Sequence, residues 1–188
     1  MSRLAVGILL AAGQSRRFGS NKLLYPIDNT PMLLLTAQKL VSVLSESIVV
    51  INQELASYTT QLKQLGLRVV VNERANHGMG SSIACGIGAS QDAAGWLIAL
   101  ADMPYVKTET ITQLSNRLND GADLVAPVYD QQRGHPVAFS RGFRNELITL
   151  NDDVGARHII AKHQKRLELI ATNDSGVIMD VDQVGDIK

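Results

Sequence analysis

Apolar runs at residues 4–10, 48–51, 67–71, 96–101, 124–128 and 137–139 alternate with amphipathic segments at 31–43, 57–65, 81–89 and 108–118. The runs are rich in Val, Ile and Leu and lack strict in/out alternation, which predicts parallel strands buried on both faces of a sheet. The segments between them carry helix punctuation. Pro31 suits a first helical turn, Ser81 and Thr108 suit N-caps, and Gly66 and Gly121 suit C-terminal stops. The order predicts an α/β fold: a doubly wound, mostly parallel, Rossmann-like sheet with helices on both faces and ligands outside the carboxyl ends of the strands. Beyond residue 139 the alternation loosens, with helices expected over 141–150 and 158–163 and short strands over 167–170 and 177–181.

The 188 residues hold no repeat, linker or low-complexity tract, so a single domain over 1–188 is expected. Eighteen basic residues balance eighteen acidic ones. No global field would therefore hold the chain on nucleic acid or an anionic membrane, and recognition must be local. The single cysteine, Cys85, lies in a run of small residues and reads as a packed thiol, which fits a reducing compartment. The first apolar run is too short to span a bilayer and lacks a secretory pattern, so a cytoplasmic location is expected.

Candidate chemistry gathers at the predicted carboxyl edge. After the first run comes Leu10-Ala11-Ala12-Gly13-Gln14-Ser15-Arg16-Arg17-Phe18-Gly19-Ser20-Asn21-Lys22. Small residues let backbone N–H groups approach an anion, and Arg16, Arg17 and Lys22 add cations, a chemistry suited to a nucleoside triphosphate. The spacing matches neither a Walker A loop nor GxGxxG. A solvated basic loop is the plainer alternative. Asp102, directly after the run 96–101, stands where Mg²⁺ would meet a triphosphate, or else caps a turn before Pro104. Asp180 or Asp182 could supply a second carboxylate. A further loop from Asn72 through Gly78, Gly80, Ser81 and Ser82 reaches a helix start, where free N–H groups suit a base or ribose; a capped connection is the alternative. Gly134-His135-Pro136 and Asp153-Val154-Gly155-Ala156-Arg157 could meet an anionic acceptor through Arg133, His135 and Arg157, or form a turn and a helix start.

In order, these blocks resemble the molybdenum cofactor nucleotidyltransferase family over nearly the whole chain. Ala12, where the guanylyltransferase branch usually has glycine, together with Gly134-His135-Pro136 and Asp153-Val154-Gly155-Ala156-Arg157, makes the chain look like the cytidylyltransferase branch. The resemblance implies Mg²⁺-dependent transfer of CMP from CTP to Mo-molybdopterin, giving molybdopterin cytosine dinucleotide and pyrophosphate, for a client molybdoenzyme. It implies an N-terminal nucleotide-binding half and a C-terminal acceptor-binding half. Leu10, Ala11, Ala12, Gly13, Arg17, Lys22, Asn72, Gly78, Gly80, Ser81 and Ser82 would bind nucleotide. Arg17, Lys22 and Asp102 would act in catalysis. Asp102 with Asp180 or Asp182 would hold Mg²⁺, and Gly134, His135, Pro136 and Arg157 would bind the acceptor. The usual C-terminal Asp-x-Asp-Thr-Pro-Glu-Asp is here Asp180-Val181-Asp182-Gln183-Val184-Gly185-Asp186, a departure at the start of the last helix. GTP, another phosphorylated acceptor, or a non-catalytic cofactor carrier remain as alternatives.

Overall fold

The computed structural model describes residues 4–13 and 21–187. In chain order its elements are β1 (Ala5–Ala11), β2 (Pro26–Ile27), β3 (Thr30–Pro31), α1 (Met32–Val43), β4 (Ser47–Ile51), α2 (Thr59–Gln64), β5 (Arg68–Val71), α3 (Met79–Gly88), β6 (Gly95–Leu100), α4 (Thr108–Asn119), β7 (Leu124–Tyr129), β8 (Gln132–Arg133), β9 (Val137–Ser140), α5 (Arg144–Leu147), α6 (Arg157–Lys162) and β10 (Leu167–Ala171). Among the described residues one sheet runs in the order β10-β7-β9-β6-β1-β4-β5, with β8 paired to β7.

The β1–β4, β1–β6, β4–β5 and β7–β10 pairs are parallel, as the buried apolar runs predict. Successive β1 side chains enter opposite cores. Leu9 and Ala11 pack with Met32, Leu33 and Leu40 of α1 and Ile111 and Leu114 of α4. Ile8 and Leu10 pack with Ile83 and Ile87 of α3 and with Phe143, Leu147 and Ile159. Each such side chain, buried completely, contributes about 1.5–3 kcal/mol, so the sheet is held by burial on both faces. Trp96 is fully buried, and its indole N–H donates to Ser90 Oγ at 2.8 Å, which leaves no polar atom stranded there.

Two expected strands are corrected. The run 137–139 is antiparallel: β9 pairs in that sense with both β6 and β7. Its connection from β7 begins with Asp130 and Gln131 at φ 45° and 63°, the positive-φ pair of a tight hairpin, and leaves no room for a crossover helix. The ladder breaks between β8 and β9, where the amide of His135 turns from β7 to the carbonyl of Val177 at 2.8 Å. The His135–Pro136 peptide is cis. The run 177–181 is no strand; a 3₁₀ turn at Ser175–Ile178 leads into irregular chain in which the Val181 amide donates to the Asp102 carbonyl.

Helix starts differ as well. Pro31 ends β3 and precedes α1, Ser81 lies inside α3 behind Gly78, and Thr108 is the first residue of α4 behind Lys107. Gly66 and Gly121 do end their helices with positive φ, 98° and 100°. Over 57–65 and 141–150 the helices open with 3₁₀ turns, Gln53–Tyr58 and Arg141–Phe143. The altered C-terminal block forms one 3₁₀ turn, Val184–Asp186, whose Asp186 carboxylate accepts the amides of Asp182 and Gln183 at 2.9 and 2.7 Å. Among the described residues, no helix is long and apolar enough to cross a membrane.

Candidate active site

β1 and β6 pair in register up to Leu10 and Leu100, and the amide of Ala101 continues the ladder to the Leu10 carbonyl at 3.0 Å. Ala12-Gly13 and Asp102 therefore leave the same edge of the sheet side by side. Asn52, at the end of β4, steadies the first of these by donating its amide to the Ala12 carbonyl at 3.4 Å. Lys22 returns to this edge on a 3₁₀ turn, Lys22–Leu24, capped by the Asn21 carboxamide. A cavity of about 420 Å³ opens between these pieces, lined by Leu10, Ala11, Ala12, Gly13, Lys22, Gly78, Met79, Ser82, Asp102 and Asp153 among others.

Among the described residues, three charged groups converge beside it. Lys22 Nζ lies 2.8 Å from Asp102 Oδ2 and 2.7 Å from Asp182 Oδ1. Burial works against the lysine charge, but the attraction of Asp102, and then of Asp182, outweighs it and holds the Lys22 pKa above its usual value. The chain around Asp102 is fixed from three sides. Thr36 Oγ1 of α1 donates to the Ala101 carbonyl at 2.9 Å, Lys39 Nζ donates to the carbonyls of Pro104 and Val106, and the Val181 amide donates to the Asp102 carbonyl at 2.9 Å.

A second cavity of about 440 Å³ adjoins the first. Its floor is apolar, with Ile83, Ile98, Val137, Phe139 and Ile160, while Arg133, His135 and Arg157 bring basic groups to its wall. Leu10, Met79, Leu100, Asp102 and Asp153 line both cavities. Two carboxylates, Asp102 and Asp153, thus stand where the two spaces meet. Gly134 packs so closely on Val177 that a Cβ would fall 2.2 Å from its carbonyl oxygen, which explains the glycine of Gly134-His135-Pro136. His135 is deprived of water, and its Nδ1 has no hydrogen-bond partner among the described residues. Desolvation first, and the Arg133 charge second, push its pKa down to about 4.

The sequence matches the family described as MobA-like NTP transferase domain over residues 7–167. The chain belongs to that family. Nicotine blue oxidoreductase of Paenarthrobacter nicotinovorans is 29% identical over 95% of the chain and 92% of its own length. A probable molybdenum cofactor guanylyltransferase of Thermococcus kodakarensis is 32% identical over 76% of the chain and 69% of its own length. The crystal structure of Rv0371c from Mycobacterium tuberculosis H37Rv superposes with a TM-score of 0.87 at 27% identity, covering 99% of this chain and 96% of that one. A complex of Rv0371c with manganese superposes at 0.79 with 24% identity, covering 97% and 95%.

In this MobA-like NTP transferase the expected site residues separate into groups. Leu10, Ala11, Ala12, Gly13, Lys22, Gly78, Ser82 and Asp102 share the first cavity. Arg17 lies outside the described residues, as does Arg16. Asn72, Gly80 and Ser81 do not line that cavity. Asn72 is buried and spends its amide on Ser81 Oγ and Ser82 Oγ at 2.9 and 3.0 Å, so it shapes the loop from behind. The Gly80 amide is taken by the Asp152 carbonyl at 2.7 Å, so this N–H of the α3 start is not free for a base or ribose. Gly134, His135 and Arg157 line the second cavity, whereas Pro136 faces a space of about 20 Å³ beneath it, beside Thr36 and Lys39. Of the two C-terminal carboxylates, Asp182 reaches Lys22 and Asp180 lines the second cavity. Met79, which lines both cavities, and Asn52, which supports Ala12, carry no site role in the sequence reading, and Asp153 is named there only within its block, not as a residue lining both cavities. Asn52 at a strand end was the one legible signal; Met79 and Asp153 enter through the docking of residues 151–155 on α3.

Proposed function

We propose that this nucleotidyltransferase moves CMP from CTP to the phosphate of Mo-molybdopterin, releasing pyrophosphate. The observation that carries the reading is the meeting of two cavities at Asp102, with Lys22 beside it: one space for a donor, one for an acceptor, and charge compensation at the boundary. The guanylyltransferase names of several relatives support a molybdenum-cofactor acceptor. The preference for CTP rests on Ala12, which lines the first cavity together with Ser82 and would leave less room for a base there than glycine. A cytoplasmic location and a client molybdoenzyme belong to the same proposal.

The reaction needs little acid–base help. An oxygen of the acceptor phosphate, already ionised near neutral pH, attacks the α-phosphorus in line; the new P–O bond forms as the bond to the β-phosphate oxygen breaks, and pyrophosphate leaves with the electron pair. The protein's task is positioning and charge neutralisation. Lys22 and Arg17 hold the triphosphate, the backbone at Ala11–Gly13 cradles it, and Arg133 and Arg157 orient the acceptor, while the apolar floor takes its ring system.

The residues present fit a divalent cation, because the gap between Asp102 and Asp182 is one that a cation already fills, here the Lys22 ammonium. Mg²⁺ favours one or two carboxylates completed by water and phosphate oxygens, and among the described residues no fuller set of His, Cys, Asp and Glu competes. Asp102 and Asp182 would hold it, and when bound it would draw off charge developing on the leaving pyrophosphate.

Incubation with each of the four NTPs, Mg²⁺ and Mo-molybdopterin, followed by mass analysis, tests the reading. The expected product is the cytosine dinucleotide. A guanine dinucleotide would correct the donor, and nucleotide binding without any product would leave the carrier alternative.

A further inference from the structure

Asp174 is 2% exposed and lies outside both cavities. Buried carboxylates are rare unless fully bonded, and this one is. Its Oδ2 accepts from the Lys107 amide at 2.8 Å and from Thr110 Oγ1 at 2.7 Å, and its Oδ1 from the Gly176 amide at 3.0 Å. Lys107 and Thr110 belong to the N-terminal turn of α4, so the carboxylate caps that helix from a distant part of the chain, where the helix dipole favours negative charge.

From that anchor the chain crosses the whole site. Gly176 packs on Tyr105 so closely that a Cβ would fall 2.3 Å from its carbonyl carbon. The Val177 carbonyl receives the His135 amide, the Val181 amide reaches the Asp102 carbonyl, and Asp182 meets Lys22. Lys39 donates to the Pro104 and Val106 carbonyls of the same 102–107 loop, and the Asp174 charge acts on its ammonium. One strap, 174–182, touches the wall of the second cavity, the boundary carboxylate and the cation of the first.

We propose that Asp174 is a positioning residue for nucleotidyl transfer: by anchoring the strap to the start of α4, it sets His135 and the Lys22–Asp182 pair in place against Asp102. The transfer step rests on the function proposed above, whereas the anchoring itself is measurable without turnover.

The test uses Asp174→Asn, which keeps shape but removes the charge and one acceptor oxygen, and the milder Thr110→Val, which removes one donor. Hydrogen exchange should show the amides of His135 and Val181 losing protection by about tenfold or more in Asp174→Asn, and less in Thr110→Val, while amides inside β1 keep theirs. Assayed well below its Tm and normalised to folded protein, Asp174→Asn should lose kcat by about tenfold, with its KM for the nucleotide rising by less, since Lys22 itself remains. A residue that merely stabilised the fold would lower Tm and leave kcat per folded molecule intact. Unchanged protection at His135 and Val181 in both variants, or an unchanged kcat in Asp174→Asn, overturns the proposal. Wild-type protein that makes no product fails the transferase reading alone, and the exchange comparison still decides whether Asp174 sets the strap.

Discussion

Lys22 and Asp102 form an ion pair of 2.8 Å at the boundary of two cavities, with 16% and 25% of their side-chain surfaces exposed. A pair so placed can open when a triphosphate arrives, because the phosphates offer the ammonium a richer set of acceptors than one carboxylate does. Lys22→Ala should raise the KM for the nucleotide by an order of about ten, the usual weight of a charged hydrogen bond. Titration calorimetry with the nucleotide alone checks this, and an unchanged affinity would remove Lys22 from the donor site.

Asp102→Asn keeps the size of the side chain and removes its charge. A loss of kcat of about 10²-fold or more is expected, as for the loss of one strong electrostatic stabiliser, with a fold indistinguishable by circular dichroism. Near-normal turnover at saturating Mg²⁺ would show that the boundary carboxylate takes no part.

Gly78 has φ 97°, a conformation that side chains rarely adopt, and a Cβ there would fall 2.7 Å from the Asp153 backbone. Gly78→Ala should therefore cost about 1–3 kcal/mol and dislodge the 151–155 loop, raising the KM for the acceptor. Gly88, at the other end of α3, has open space around it. Gly88→Ala should stabilise by up to about 1 kcal/mol and leave kinetics alone. Thermal unfolding of the two variants gives opposite signs if the local geometry is as described.

His135 stays neutral in the folded protein down to about pH 4, because desolvation and the Arg133 charge oppose its ionisation. The unfolded chain takes up that proton near the ordinary histidine value, so between the two pKa values the unfolded state binds more protons. Stability is complete above the ordinary value and falls with pH towards 4, by on the order of 3 kcal/mol. Urea unfolding across that window should lose part of its pH dependence in His135→Gln. An identical slope in the variant would mean that other groups carry it.

Ala12→Gly should relax donor choice towards GTP without abolishing activity, since it removes a methyl from the first cavity. The ratio of cytosine to guanine dinucleotide, formed in competition, reads the effect; an unchanged ratio would leave Ala12 no part in base choice.

Much of the first cavity was legible because it is local. Strand ends announce themselves through apolar runs, and Ala12, Gly13 and Asp102 follow two such runs directly. Strand direction was less accessible. Val137–Ser140 has the composition of a buried strand, and only the geometry of Asp130 and Gln131, which lack the Asn-Gly signature of tight hairpins, makes it antiparallel. Val177, Ile178 and Val181 read as a strand because they are apolar, but their backbone partners are His135 and Asp102, far away in sequence. The burial of Asp174 and the covering of Gly80 by Asp152 are tertiary facts of the same kind, with no pattern along the chain to signal them.

The insertion of β9 between β6 and β7 has an evolutionary consequence. Among the described residues the first cavity is lined mainly from before β7 and the second mainly from after it, with Leu10, Met79, Leu100, Asp102 and Asp153 lining both, so that under the proposed function the donor and acceptor walls can diverge separately. On the proposed function, a lineage built on this sheet can exchange its acceptor by altering the chain beyond β7 and, so long as Asp153 is kept, inherit the donor cavity.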